Sequence, residues 1–329
     1  MPSGTKALVG AALLACLHAT DAKSSDLNVY CDLPARQCRA LVDAFTKTDP
    51  LEVGIFPRAS GREALEKSDI LLAPPGSELL GESVPETADA VPLNALRVWA
   101  RRPFEQSQGR TVGLYAGILG FVVNTELIRQ RQLNEPACWA DLLRPELSAE
   151  IRMDDPTISE TGYRVMASLV QILGEDAAFD YLRRLQANLA LNVVSEASAA
   201  EAVAEGDFAI AVVNLGDGIS LATRGYPVKL IAPCEGTGFT PVLMSILEKA
   251  PNPQNARQFY RFSLSVAGQS AAAPALVYPL MSNIGVVLPP SASIAGPVRL
   301  IDYDFDVYDR PDERKRLTAR WIDATGNPN

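Results

Sequence analysis

Short apolar runs alternate with amphipathic runs of helical period near the start of the chain, and this alternation constrains the fold most. Leu27–Cys31 reads as a strand, and Ala35–Lys47 follows as a helix with Cys38, Leu41, Val42 and Phe45 on one face. Leu51–Phe56 reads as a second strand, Ser60-Gly61 opens a second helix, and Asp69–Ala73 is a third strand. Such alternation argues for a parallel sheet with helices on both faces. Pro74–Pro92, richer in Pro, Gly and Glu, reads as loop.

Ala95–Arg101 and Val112–Asn124 then read as strands entering a second unit. A helix beginning at Trp139 follows, then Ser159–Leu173, with Val165, Met166, Leu169, Val170 and Leu173 inward and a stop at Gly174. Ala177–Asn188 is a further helix. Ser198 and Glu201 form a capping box for a short helix ending at Gly206. Phe208–Val213 and Val228–Ala232 read as strands, Cys234–Gly238 as a return crossing, Val242–Leu247 as a strand and Gln254–Leu264 as a helix.

The N-terminus reads as a leader rather than as part of the fold. Lys6 precedes the apolar run Ala7–Leu17, which is too short to span a bilayer, and Thr20-Asp21-Ala22 offers small residues at the cleavage spacing. Leu13-Leu14-Ala15-Cys16 offers a lipobox instead, with Leu at its second place a poor fit. The expectation is a signal peptide over residues 1–22 and a soluble periplasmic protein, with lipid anchoring at Cys16 as the alternative.

The formal charge is −9, and basic residues are interspersed with acids throughout, which argues against nucleic acid or an anionic membrane as partner. The only histidine, His18, lies in the leader. Its loss removes Ser-His-Asp and Cys-His catalysis and His-ligated zinc. Neither a G-x-S-x-G elbow nor a Walker-type loop is present. Four cysteines remain past the leader. Cys31 ends a strand and Cys38 lies one turn into the next helix, a spacing that permits a short-loop disulfide in an oxidising compartment. Pairing of Cys138 with Cys234 is left open, buried free thiols being the alternative.

Several segments together resemble a known family. V-G-L-Y-A-G-I-L-G-F-V-V-N-T-E-L-I from Val112, P-A-C-W-A-D-L-L from Pro136 and M-D-D-P-T-I-S-E-T-G-Y from Met153 come in order. L-G-E-D-A-A-F-D-Y-L-R-R-L-Q-A-N, K-A-P-N-P-Q-N-A-R-Q-F-Y-R-F-S-L-S and the terminal I-D-Y-D-F-D-V-Y-D-R-P-D-E-R-K-R-L-T-A-R-W follow. They resemble the bacterial extracellular solute-binding proteins of ABC importers, the family of ferric-iron, phosphosugar and aminophosphonate binders. The resemblance implies an α/β, two-lobed, type II periplasmic-binding-protein-like fold joined by two crossing hinge strands. It places one lobe at 26–111 and 235–296, the other at 112–234, and a C-terminal helical segment at 297–329. It further implies a monomer that captures a small solute for a permease and an ATPase, without cofactor, metal or catalysis. A ferric-iron binder and a sensory protein docking on a membrane histidine kinase are the alternatives.

In open α/β sheets, ligands sit beyond the carboxyl ends of the strands. The loops there contribute Tyr30 and Asp32, then Ser60, Gly61 and Arg62 with Arg58, then Ser159, Thr161, Gly162 and Tyr163, and finally Asn214 and Asp217, with Tyr115 near the crossing. The Ser159 loop opens a helix, whose unpaired N–H groups and partial positive charge suit phosphate, phosphonate or carboxylate. The bland alternative is that Ser159 only caps and Gly162 only packs. Family members often carry Gly where Glu160 stands, and a carboxylate there either opposes an anion or pairs with the amino group of a zwitterion. Ferric iron wants phenolate and carboxylate oxygens. No two tyrosines are adjacent here, which leaves Tyr115, Tyr163 and Tyr226 as the iron candidates.

Overall fold

A computed structural model describes residues 25–33, 35–75, 77–85, 93–190, 198–276, 280–287, 294–295 and 297–326. The leader reading, with its Cys16 alternative, lies outside the described residues. The strands are β1 Leu27–Cys31, β2 Val53–Pro57, β3 Ile70–Ala73, β4 Val112–Asn124, β5 Ile151–Met153, β6 Ile210–Asn214, β7 Val228–Ile231, β8 Phe239–Ile246 and β9 Leu280–Met281. The helices are α1 Ala35–Thr46, α2 Gly61–Glu66, α3 Val98–Gln106, α4 Thr125–Gln130, α5 Glu160–Leu173 and α6 Glu175–Leu185. They continue with α7 Ala199–Glu205, α8 Leu215–Thr223, α9 Pro253–Leu264, α10 Val266–Ala272, α11 Phe305–Tyr308 and α12 Pro311–Thr325.

Hydrogen bonding orders the strands β2-β1-β3-β8-β4-β6-β5, with β7 and β9 also paired to β4. The strands β1, β2 and β3 are parallel, as their alternation with helices requires. The sheet as a whole is mixed, because β8 runs antiparallel to both β3 and β4. The long strand β4 serves two groups of partners. Val112–Ile118 pairs with β8, and Leu119–Asn124 pairs with β6 and β7. Every residue of β4 is buried, which explains why its sequence is continuously apolar rather than alternating.

The cores follow this division. One gathers Leu41 and Phe45 of α1, Val112 and Tyr115 of β4, Met244 of β8 and Phe259 of α9. Another gathers Phe121 and Val123 of β4, Trp139, Val165 and Leu169 of α5, and Leu317 and Trp321 of α12. A third lies on the opposite face of β4 and β6, around Val122, Val203, Val213 and Ile219. The fold is thus α/β and two-lobed, with β4 and β8 crossing between the parts.

Three local expectations change. Leu173 is exposed rather than inward, because it is the last residue of α5 and lies past the stretch that packs on the core. Ala95–Arg101 is not a strand, since its chain turns into α3, which buries Ala100 and Phe104 and tolerates Pro103 inside the helix. The Trp139 segment is a short 3₁₀ helix, Trp139–Leu143. Burial of the Trp139 ring and the bond from its indole N–H to the Gly236 carbonyl (3.0 Å) fix the chain there. Both cysteine pairs are disulfides: Cys31 with Cys38, and Cys138 with Cys234. The second, which the spacing left open, ties the segment before the Trp139 turn to the approach of β8.

Candidate functional site

At the carboxyl ends of β1, β2 and β3 lies a cavity of about 630 Å³, lined by Tyr30, Asp32, Arg58, Gly61, Arg62, Ser77 and their neighbours. The end of a parallel strand turns into the N-terminus of the next helix, so polar side chains from three successive turns converge here. Asp32 anchors the group. Its carboxylate accepts from the Arg58 guanidinium at 3.0 Å and from the Ser77 hydroxyl at 2.9 Å. The Tyr30 hydroxyl donates to the Arg58 carbonyl at 3.1 Å. The Asp32 side chain is 2% exposed while that of Arg58 is 77% exposed, so a buried anion aims an accessible cation. Arg62 pairs with Glu82 at 2.6 Å and, more distantly, with Glu66.

Tyr30, Asp32, Gly61 and Arg62 from the sequence reading therefore meet in one cavity. Ser60 is exposed on the same turn but is not part of the lining. Ser77 was missed. It falls in the Pro/Gly/Glu-rich loop after β3, where composition gives no sign that a hydroxyl returns to β1.

The Ser159 group sits elsewhere, against the second core. Ser159 caps α5, accepting from the Gly162 N–H at 3.2 Å and donating to Asp154 at 2.9 Å. Gly162 is needed for close approach, because a Cβ there would lie 2.5 Å from the Asp154 carbonyl oxygen. Thr161 is half-buried in the same turn. Tyr163 is fully buried, and its hydroxyl donates to the Tyr308 carbonyl at 2.5 Å. Burial pushes that hydroxyl up to about 12. Tyr115 is also fully buried, with its hydroxyl 3.5 Å from the Gln37 carbonyl. Both rings pack inside the protein, because each stands on an element covered on both sides.

Glu160 is matched by cations of the protein itself. It pairs with Arg164 at 2.9 Å and with Arg314 of α12. Burial alone would raise its pKa, but the two guanidinium groups outweigh this and hold it below the ordinary carboxylate value. Asn214 caps α8, accepting from the Gly216 N–H at 3.0 Å, and its amide fills the space that a side chain at Gly117 of β4 would need. Asp217 is exposed in the first turn of α8. Neither joins the cavity over β1–β3.

Comparison with known proteins places this architecture. The family model for bacterial extracellular solute-binding proteins matches residues 86–305. An uncharacterized protein of Haemophilus influenzae is 30% identical over 325 residues, spanning 95% of this chain and 94% of its own. A Salmonella typhimurium protein, provisionally named a 2-aminoethylphosphonate-binding periplasmic protein, is 27% identical over 252 residues, 69% of each chain. Among solved structures, the periplasmic binding protein AfuA from Actinobacillus pleuropneumoniae, with exogenous fructose-6-phosphate bound, superposes with a TM-score of 0.68. It is 28% identical, with 92% of this chain and 99% of that chain covered. The Bordetella ferric binding protein gives a TM-score of 0.71 at 18% identity over 91% of this chain and 98% of its own, a likeness of fold alone. The chain belongs to the bacterial extracellular solute-binding proteins.

Proposed function

We propose that this protein captures a small acidic or zwitterionic solute, a phosphorylated or phosphonate compound above all, and delivers it to an ABC importer. The observation that carries this reading is the accessible Arg58 guanidinium held beside buried Asp32, with Arg62 at the same cavity. Guanidinium forks suit the oxygens of an acid group. Tyr30, Asp32 and Ser77 add polar groups to the same lining, and Asp32 holds Arg58 in place. Names of two relatives point the same way, toward aminoethylphosphonate and fructose-6-phosphate.

In this reading residues 1–22 are a signal peptide and the mature chain works in the periplasm as a monomer. Its lobes, 26–111 with 235–296 and 112–234, close about β4 and β8 so that the Ser159 and Asn214 turns complete the site. Binding is the whole task, since past the leader the chain carries no histidine to move a proton near neutral pH. The ferric alternative draws little support: Tyr115, Tyr163 and Tyr226 pack with three different cores.

A thermal-shift screen of purified, metal-stripped protein against phosphosugars, 2-aminoethylphosphonate, simple carboxylates and ferric citrate tests the proposal. A shift with a phosphorus-containing acid is expected. A shift with ferric citrate alone refutes it.

A further inference from the structure

A second and larger cavity, of about 970 Å³, opens between α3, one face of β8 and the C-terminal segment that leads into α11. It is not the solute site described above, for among the described residues the two linings share Pro75 alone. Its floor is apolar. Phe239, Pro241 and Leu243, alternate residues of β8, face it together. Trp99 of α3 and Phe305 of α11 stand edge-on to Phe239, at 6.0 Å and 5.5 Å.

The rim is cationic. Arg97, Arg102 and Arg110 line it, against Asp302 and Asp306. Asp302 is taken by Arg102, and the Arg97 Nε–H donates to the Met281 carbonyl at 3.1 Å. Arg110 is exposed, and among the described residues no acidic side chain pairs with it. The Trp99 indole N–H, also in the lining, is a buried donor with no partner among the described residues. An apolar floor of this size with few polar groups at its edge has the form of a small-molecule site.

We propose that this cavity is a second binding site, for an amphipathic monoanion: an aliphatic carboxylate whose chain lies on β8 and whose head meets Arg110. The chain removes the apolar floor from water, and the head gains a charge-assisted hydrogen bond. Trp99 packs against both of the large cores, so an occupant touches both parts of the molecule at once.

The test is calorimetric titration of the full mature protein with decanoate, read in parallel by tryptophan fluorescence. Trp139 and Trp321 are buried in the second core, which leaves Trp99 as the indole at the cavity. Saturable binding of one decanoate per chain is expected, with a change in fluorescence. Arg110→Glu and Val98→Glu each change an exposed side chain of the lining, so both spare the cores. Each is expected to weaken binding by about tenfold or more while leaving the melting temperature unchanged. Absence of saturable binding overturns the proposal, and so does binding that either variant leaves at wild-type strength.

Discussion

Arg164 and Asp309 form an ion pair of 2.6 Å between α5 and the turn before α12, with side chains only 3% and 8% exposed. Arg164 also meets Glu160 and lies over the Tyr303 ring at 4.8 Å, so one guanidinium fastens the C-terminal segment to the mouth of α5. Removing one partner leaves the other charge buried and alone. Arg164→Met is therefore expected to cost about 3–5 kcal/mol in urea unfolding. Arg164→Met/Asp309→Leu, which leaves no orphaned charge, is expected to recover most of that loss. A double variant as unstable as the single one contradicts this account.

The mouth of α5 is also sterically tight. Gly162→Ala puts a methyl group against the Asp154 backbone, which cannot step aside as a flexible side chain would. Overpacking of this kind costs about 1–3 kcal/mol. Ser159→Ala removes the cap of the same helix and is expected to cost about 1 kcal/mol. Urea midpoints measure both, and wild-type midpoints would show a looser turn than the geometry gives.

The two disulfides differ in the loops they close. Cys31–Cys38 spans 7 residues and Cys138–Cys234 spans 96. On the chain-entropy argument, replacing Cys138 and Cys234 by serine is expected to cost about 2 kcal/mol more than replacing Cys31 and Cys38. Equal losses from the two double variants would locate the stabilisation in local packing instead.

Acid sensitivity has a named contributor. Hydrogen bonds from Arg316, aided by Arg320, hold the Glu175 carboxyl at about 2, below its ordinary value of 4.5. A folded value below the unfolded one means the ionised group stabilises the fold above pH 4.5, and that this is lost as pH falls toward 2. The network is open to solvent, so screening limits its contribution to about 1 kcal/mol. Glu175→Gln is expected to flatten the stability profile across that window and to leave its shape above it unchanged. An unaltered slope would remove Glu175 from the account.

What could be read in the sequence was what local chemistry decides. Ser159 and Gly174 bound α5 because cap and stop are written within a turn of the helix end. β1, β2 and β3 follow from alternation, since a parallel strand needs a crossover before the next one. The stretch around Val98 failed because its apolar residues suit either period, and packing of Ala100 and Phe104 against the first core decided for helix. The Cys138–Cys234 bond and the Arg164–Asp309 pair join residues far apart in the chain, where spacing carries no information. At the site, strand ends named Tyr30, Asp32 and Arg62, but neither the return of Ser77 to Asp32 nor the burial of Tyr115 and Tyr163 follows from a local rule.

The central claim is that Arg58 and Arg62 hold the acid group of a solute. Isothermal titration of 2-aminoethylphosphonate and fructose-6-phosphate into wild-type protein and Arg58→Ala/Arg62→Ala tests it directly, because both side chains are exposed and Asp32 keeps its hydrogen bond from Ser77, with the melting temperature of the double variant measured beside the wild type's. Saturable binding of at least one compound is predicted for the wild type. The double variant is predicted to lose at least tenfold, the equivalent of about 1.4 kcal/mol. Binding of equal strength in both proteins would contradict the claim and move the acid group to the Ser159 and Asn214 turns.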